Sequence, residues 1–251
     1  MLVFRWRERE PGVGPSFGVD WAITDRLGGT SLGRYSSLNL GTHVGDDPHA
    51  VARNRSRVAA EFALQPEDLR FMRQVHGCEV ALVGPAQSDP PEADVMVTDD
   101  PDVALLVMVA DCTPVLLLDR TEGLVAAVHA GRVGLTAGVV GAAVAALRER
   151  GAANLEAVVG PSVCPRCYEV PAGLRDEAAA ASPAAYSVSR TGTPAIDVAA
   201  GVVEQLQTAG VTVTWLPGCT REDETLFSHR RDGLSGRFAG VIRLLPPEDA
   251  A

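Results

Sequence analysis

No apolar run in the chain approaches the roughly 20 residues that a membrane span needs. The longest, VALLVMVA at 103–110, has the length of a strand. The first ten residues, MLVFRWRERE, lack the apolar stretch of a secretory signal, so a cytoplasmic protein is expected. Basic charge is also in short supply. Twenty-two Lys and Arg against 32 Asp and Glu leave a formal net charge of −10, which works against binding to a nucleic-acid backbone. The one short basic run, Arg53-Asn54-Arg55-Ser56-Arg57, reads as the solvated face of a helix. Cysteine is scarce and odd in number, five at irregular spacing, which argues against a disulfide framework. There are no repeats and no low-complexity linker. With nucleic acid and membrane set aside, a small molecule is the expected partner.

What is present is a soluble-type composition, 46% hydrophobic and 22% charged over 251 residues, enough to bury a sizeable core. We expect one domain over 1–251, with loops at 85–91 and 181–194 inside it. Gly and Pro punctuate residues 1–45, which should hold short strands and turns. Asp47 suits an N-cap and Pro48 a first turn, predicting a helix over 48–63. Residues 68–84 read as a strand pair around Gln74-Val75-His76-Gly77. The segments 103–110, 115–119 and 124–130 read as three buried strands, their apolar residues running on with little alternation. An Ala-rich helix should follow over 135–149 and stop at Gly151. A strand at 157–163, a helix at 197–207 and strands at 211–216 and 238–245 complete the pattern. Strands with interspersed helices, some joined as hairpins, imply a mixed sheet covered by helices, of α+β or α/β class.

Cys112 and His129 each follow an apolar strand, in VMVADC and LVAAVHAG. Strand ends are where a sheet protein presents reactive groups from a rigid base. A soft thiolate with imidazole is a zinc preference, and three protein ligands with an open fourth position is the catalytic pattern. His76, in the loop QVHG, supplies a third ligand. A multicopper centre needs many histidines; with five and no His-x-His pair, zinc is expected ahead of copper. A purely structural zinc in a binding module would need a fourth protein ligand, and none is obvious. Cys164-Pro165-Arg166-Cys167 is a C-x-x-C without a second such pair, so neither structural zinc nor redox chemistry is expected there.

Six blocks occur in order: SLNLGTHVGDDPHAVARNR (37–55), RQVHG (73–77), ADCTPVLLLD (110–119), AVHAGRVGL (127–135), GPSVCPRCYEV (160–170) and GCTREDETLFSHRRDG (218–233). Together they resemble the bacterial family called polyphenol oxidase or laccase-domain proteins, purine nucleoside phosphorylase-type enzymes, or peptidoglycan editing factors. The resemblance spans nearly the whole chain. It implies that His76, Cys112 and His129 bind zinc, and that the fold is a mixed sandwich shared distantly with Cys–His toxin domains. It implies phosphorolysis of adenosine, inosine and methylthioadenosine, with adenosine deamination. The editing-factor name implies instead a zinc amidase acting on a peptidoglycan precursor.

Within those blocks Asp111 is a candidate to orient Cys112, and Asn39 to line the pocket. Backbone N–H groups from Gly131 to Gly134, opening the next helix, form a candidate phosphate cradle. The family pattern H-A-G-W-R-G reads His129-Ala130-Gly131-Arg132-Val133-Gly134 here, so Val133 holds the arginine place and Arg132 lies one position early. Arg132 and Arg230 are candidate ligand contacts, with Arg231 contacting ligand or pairing with Asp232. Glu169 and Asp197 are acid/base candidates, while His43, His49 and His229 read as surface or loop residues.

Overall fold

The computed structural model describes residues 1–8, 17–87 and 89–246. Parts of the expected turn-rich N-terminus (9–16), of the 85–91 loop (88), and the end of the expected domain (247–251) lie outside the described residues.

The chain opens with the antiparallel pair β1 (Leu2–Glu8) and β2 (Gly18–Thr24), followed by α1 (Pro48–Glu61). Next come β3 (Leu69–Arg70), β4 (Val80–Leu82), β5 (Val95–Thr98), β6 (Ala104–Val109), β7 (Thr113–Asp119) and β8 (Leu124–Ala130). Helices α2 (Arg132–Ala137) and α3 (Val139–Arg148) precede β9 (Glu156–Val159). Then follow α4 (Ala172–Ala181), the short strands β10 (Tyr186–Val188) and β11 (Pro194–Ile196), and α5 (Val198–Thr208). Strand β12 (Thr212–Trp215), the single turn α6 (His229–Asp232) and β13 (Phe238–Leu245) close the chain. No helix among the described residues is long and apolar enough to cross a membrane.

The strands form two large mixed sheets. One runs β1-β2-β13-β6-β3, parallel only between β6 and β3; the other runs β12-β9-β7-β8-β5-β4, parallel at its two outer pairs. The sheets pack face to face, and each carries helices on its outer face. In β6, Leu105, Val107 and Val109 face the other sheet while Leu106 and Met108 pack outward with Val58 and Phe62 at α1. In β7, Leu116 and Leu118 face the first sheet while Val115 and Leu117 pack against α3 and α5. Both faces are dry, so the strands read as unbroken apolar runs.

The expected α+β sandwich is present, and α1 begins as expected: the Asp47 side chain accepts from the His49 N–H at 3.0 Å, with Pro48 in the first turn. Several local expectations are corrected. Residues 53–57 are a solvated face only in part: Arg53, Ser56 and Arg57 are exposed, while Asn54 and Arg55 turn inward. Asn54 is fully buried and bonds Thr30, Ser31, Ser37 and Asn39, and Arg55 turns inward over the Phe71 ring at 3.7 Å. The strand pair at 68–84 does not form, because β3 and β4 belong to different sheets and the QVHG loop crosses between them. The helix expected over 135–149 begins at Arg132 and breaks at Gly138, whose φ of 85° lies in the left-handed region that ends α2. Helix α4, and strands β5 and β10, occupy stretches read as loop or left unassigned; β10 gains its regularity only from pairing with β11.

Two-sided burial makes adjacent leucines equally costly to lose. Leu116→Ala and Leu117→Ala should each lower unfolding free energy by about 2–5 kcal/mol in urea titrations. A small effect at one with a large effect at the other would mean that β7 has a wet face.

Candidate active site

Asp94 lies immediately before β5 and is fully buried. Its carboxylate accepts three successive backbone N–H bonds, from Val75 at 3.2 Å, His76 at 3.1 Å and Gly77 at 2.6 Å. It also lies 2.7 Å from His129 Nδ1, and its carbonyl accepts from the His129 N–H at 2.8 Å. One residue therefore holds both histidines. His76 adopts φ 61°, a conformation that a β-carbon disfavours, and consecutive N–H groups turned to one side make a nest for an anion. Gln74 ties the same loop to β6 by exchanging two bonds with the Met108 backbone, at 2.8 and 3.0 Å. Burial alone would raise the Asp94 pKa, but the bonds from His129 and Gly77 outweigh it and carry it below the ordinary value. Asp94 is therefore ionised. With Nδ1 engaged by Asp94, the Nε2 of His129 is the nitrogen free to bind a metal.

Cys112 occupies the short turn between β6 and β7. The preceding Asp111 adopts φ 101°, and its carboxylate accepts from Thr220 Oγ1, Ser228 Oγ and the Arg230 N–H, all at 2.6 Å. These bonds anchor the loop before α6 to the base of the cysteine. Cys112 Sγ lies 4.0 Å from His76 Nε2, and the two histidine rings meet edge to face with centroids 4.7 Å apart. One ligand atom from each of His76, Cys112 and His129 falls within 4.8 Å of the others. A tetrahedral zinc with ordinary bond lengths sets sulfur and nitrogen roughly 3.6 Å apart, so a small contraction suffices. Gly131 makes the approach possible: a β-carbon there would lie 3.1 Å from both Cys112 Sγ and His76 Cδ2.

Electrostatics inside this cluster favour charge separation. Burial raises the Cys112 thiol, but the His129 charge and bonds from both histidines more than offset it, bringing the pKa to about 6. Burial lowers His129, yet Cys112 and Asp94 together raise it to about 9. Without metal the pair is thiolate and imidazolium.

The cluster opens onto a cavity of about 1060 Å³, whose wall includes Arg55, Arg73, Arg132, Arg230 and Arg237, with Phe71 and Tyr168. Arg73 pairs with Glu92 at 3.5 Å, and Arg132 sits 3.9 Å from Glu177 on α4. Arg230 lies over the Tyr168 ring at 4.8 Å. Among the described residues no carboxylate pairs with Arg55 or Arg237. Arg55 bonds the Leu40 carbonyl, and burial lowers its pKa to about 10. Arg237 bonds the Ser235 and Gly236 carbonyls, and burial lowers its pKa too. His43, at the same wall, is lowered by burial and then by these two cations.

Of the residues singled out from the sequence, His76, Cys112, His129, Asp111, Gly131, Arg132 and Arg230 all reach this cavity, and His43 and His229 join them. Asn39 does not. It is fully buried, and its amide is engaged by Gly41, Asp46 and the Arg237 N–H, so it braces the wall from behind. Gly134 faces the Gly77 carbonyl, 3.3 Å from where a β-carbon would sit, and serves close packing. Arg231 spreads over the carbonyls of Thr220, Asp223 and Leu226 and pairs with Asp232, which makes it a loop brace. Asp197 caps α5, and Glu169 bonds Ser189 and Thr191 away from the cluster. Asp94, Arg55, Arg237 and Gln74 were not singled out. An acid before an apolar strand looks like any cap, and only the crossing of two sheets brings Asp94 under both histidines.

A family model described as "Multi-copper polyphenol oxidoreductase laccase" matches residues 20–245. A purine nucleoside phosphorylase of Streptomyces coelicolor is 50% identical over 232 residues, covering 90% of this chain and 96% of that one. One from Mycobacterium tuberculosis is 46% identical over 223 residues, covering 87% and 89%. A Neisseria meningitidis protein of family DUF152 has a crystal structure with TM-score 0.82 and 36% identity, covering 96% of this chain and 99% of that one. YlmD of Geobacillus stearothermophilus gives 0.82 at 29% identity over the same shares.

Two measurements probe the cluster. Asp94→Asn keeps the shape but leaves the three N–H groups and His129 with a neutral partner, so metal affinity should fall about 10–100-fold in chelator competition. Unchanged affinity would remove Asp94 from its organising role. In metal-free protein, peptide-resolved alkylation of Cys112 should titrate with a midpoint of about 6, because the thiolate persists down to that pH. A midpoint near the ordinary thiol value would show that the imidazoles do not act on it.

Proposed function

The chain belongs to the multi-copper polyphenol oxidoreductase laccase family, and on that premise we propose that it is a zinc-dependent nucleoside-processing enzyme. Its reaction is phosphorolysis of purine nucleosides such as adenosine, inosine and methylthioadenosine, with deamination of adenosine at the same centre. Relatives named purine nucleoside phosphorylase support the substrate class. The observation that carries the reaction is the meeting, on one cavity wall, of a three-ligand cluster with half-buried guanidinium groups that have no carboxylate salt bridge among the described residues.

In phosphorolysis a phosphate oxygen bonds to C1′ of the ribose as the C1′–N9 bond breaks and the base leaves with a proton. The phosphate must be held as an anion close to the sugar. Arg55 and Arg237 suit this: each is oriented by backbone carbonyls, has no carboxylate salt bridge among the described residues, and presents the planar fork that matches phosphate oxygens. His43, kept neutral by burial and by those cations, adds a hydrogen bond without adding charge. Helix α2 contributes less than a long helix would, since it ends after six residues at Gly138. The aromatic faces of Phe71 and Tyr168 offer stacking for a purine.

One thiolate, two imidazoles and an open fourth position satisfy zinc's catalytic preference. When bound there, zinc supplies a Lewis acid and acidifies a coordinated water, which deamination needs. Asp94 keeps His129 oriented through Nδ1, and Asp111 fixes the turn that presents Cys112. Arg132 sits 3.9 Å from Glu177 on α4, which makes the shifted arginine of the family pattern a secondary contact in this reading.

Metal analysis with a product screen on adenosine, with and without phosphate, tests the whole reading; zinc with phosphate-dependent release of adenine is expected. Cys112→Ala should abolish both reactions. Arg55→Ala and Arg237→Ala should each weaken phosphate by about 1.5–3 kcal/mol, roughly 10- to 100-fold in KM, with deamination little changed. Equal losses in both reactions would reject the phosphate role, and copper in place of zinc would reject the metal.

A further inference from the structure

Away from the cavity, three more thiols and a carboxylate converge. Cys164 and Cys167 bracket one tight turn, while Cys219 and Glu222 lie on the loop before α6; one ligand atom from each lies within 4.8 Å of the others. The two segments are held together by backbone. Ser162 and Cys219 form an isolated parallel bridge, the Thr220 N–H donates to the Ser162 carbonyl at 3.1 Å, and the Cys164 N–H points at Cys219 Sγ at 3.3 Å. Cys167 Sγ donates to Glu222 Oε1 at 3.4 Å, and all three thiols are free.

We propose that Cys164, Cys167, Cys219 and Glu222 form a second metal site that takes zinc and staples the 164–167 turn to the 219–222 loop. Three sulfurs and one carboxylate are the donor number of a closed tetrahedral site, unlike the three-donor cluster in the cavity. Soft thiolates select zinc over the hard cations. At ordinary zinc–sulfur lengths the sulfurs of such a site stand roughly 3.8 Å apart, and the four donor atoms here already lie within 4.8 Å of one another. Arg190 pairs with Glu222 and reaches Cys167 Sγ at 3.4 Å, and Arg166 and Arg221 share the same rim. That positive rim offsets the net negative charge of four anionic donors around a dication. A disulfide between any two of the cysteines would leave the third thiol unpaired beside it.

The staple would act on the active site from behind. Thr220, next to Cys219, donates to Asp111, and Tyr168, next to Cys167, carries Arg230 into the cavity wall. The site is a positioning element, independent of which reaction the cavity performs.

Metal content of the full chain, expressed with zinc and dialysed, should be two equivalents. Cys112→Ala should retain one, and its melting temperature should fall when a strong chelator is added. Exchanged with cobalt, that variant should show thiolate-to-cobalt absorption, although it lacks the cavity thiol. Cys167→Ser and Cys219→Ser should each lose one equivalent relative to the parent chain. The proposal is overturned if Cys112→Ala holds no metal, if its cobalt form lacks the thiolate band, or if non-reducing peptide mapping finds a link among the three cysteines. Should the serine variants fail to fold, the Cys112→Ala measurements decide it, and none of them reads nucleoside turnover.

Discussion

The fully buried carboxylate of Asp94 is the constraint on which the His76–Cys112–His129 cluster depends. It sits where the QVHG loop crosses between the two sheets, accepts three consecutive N–H bonds and grips His129. A buried anion is stable only with such compensation, and the compensation here consists of the groups that must be positioned. His76 is thereby held in a backbone conformation it would otherwise avoid, and His129 is fixed in one orientation. Asp111 repeats the arrangement beside Cys112, with two hydroxyls and an N–H gathered around one carboxylate.

Rigid sheets give these carboxylates something to act against. Cys112 and His129 lie at one end of the hairpin β7–β8, with Pro114 opposite His129 in the register. Each strand there is buried on both faces, so the turn at 110–112 has little freedom to drift. Glycine at 131 then lets one ligand atom from each of His76, Cys112 and His129 come within 4.8 Å of the others.

Charge is distributed against the average of the molecule. The chain is acidic overall, at −10, yet its large cavity gathers five arginines, of which Arg55, Arg230 and Arg237 have no carboxylate salt bridge among the described residues. Inward-facing cations in a chain of negative net charge offer small anions a focused field. Backbone carbonyls orient Arg55 and Arg237, and neither makes a carboxylate salt bridge among the described residues.

The sequence alone determined the buried strands β6, β7, β8 and β13, helix α1 with its Asp47 cap, and the candidacy of His76, Cys112 and His129. These follow from local signals: apolar runs, a capping residue, and soft ligands at strand ends inside blocks that match a family. Tertiary structure decided the rest. Whether 68–84 forms a pair depends on which sheet each strand joins, and Arg55 faces inward because Asn54 is sewn to the N-terminal loop. Asp94, Arg237 and the partners of Cys164 and Cys167 are ordinary residues in one dimension. Their roles arise from contacts between segments 15 to 200 residues apart, and pattern within a window carries no record of such contacts.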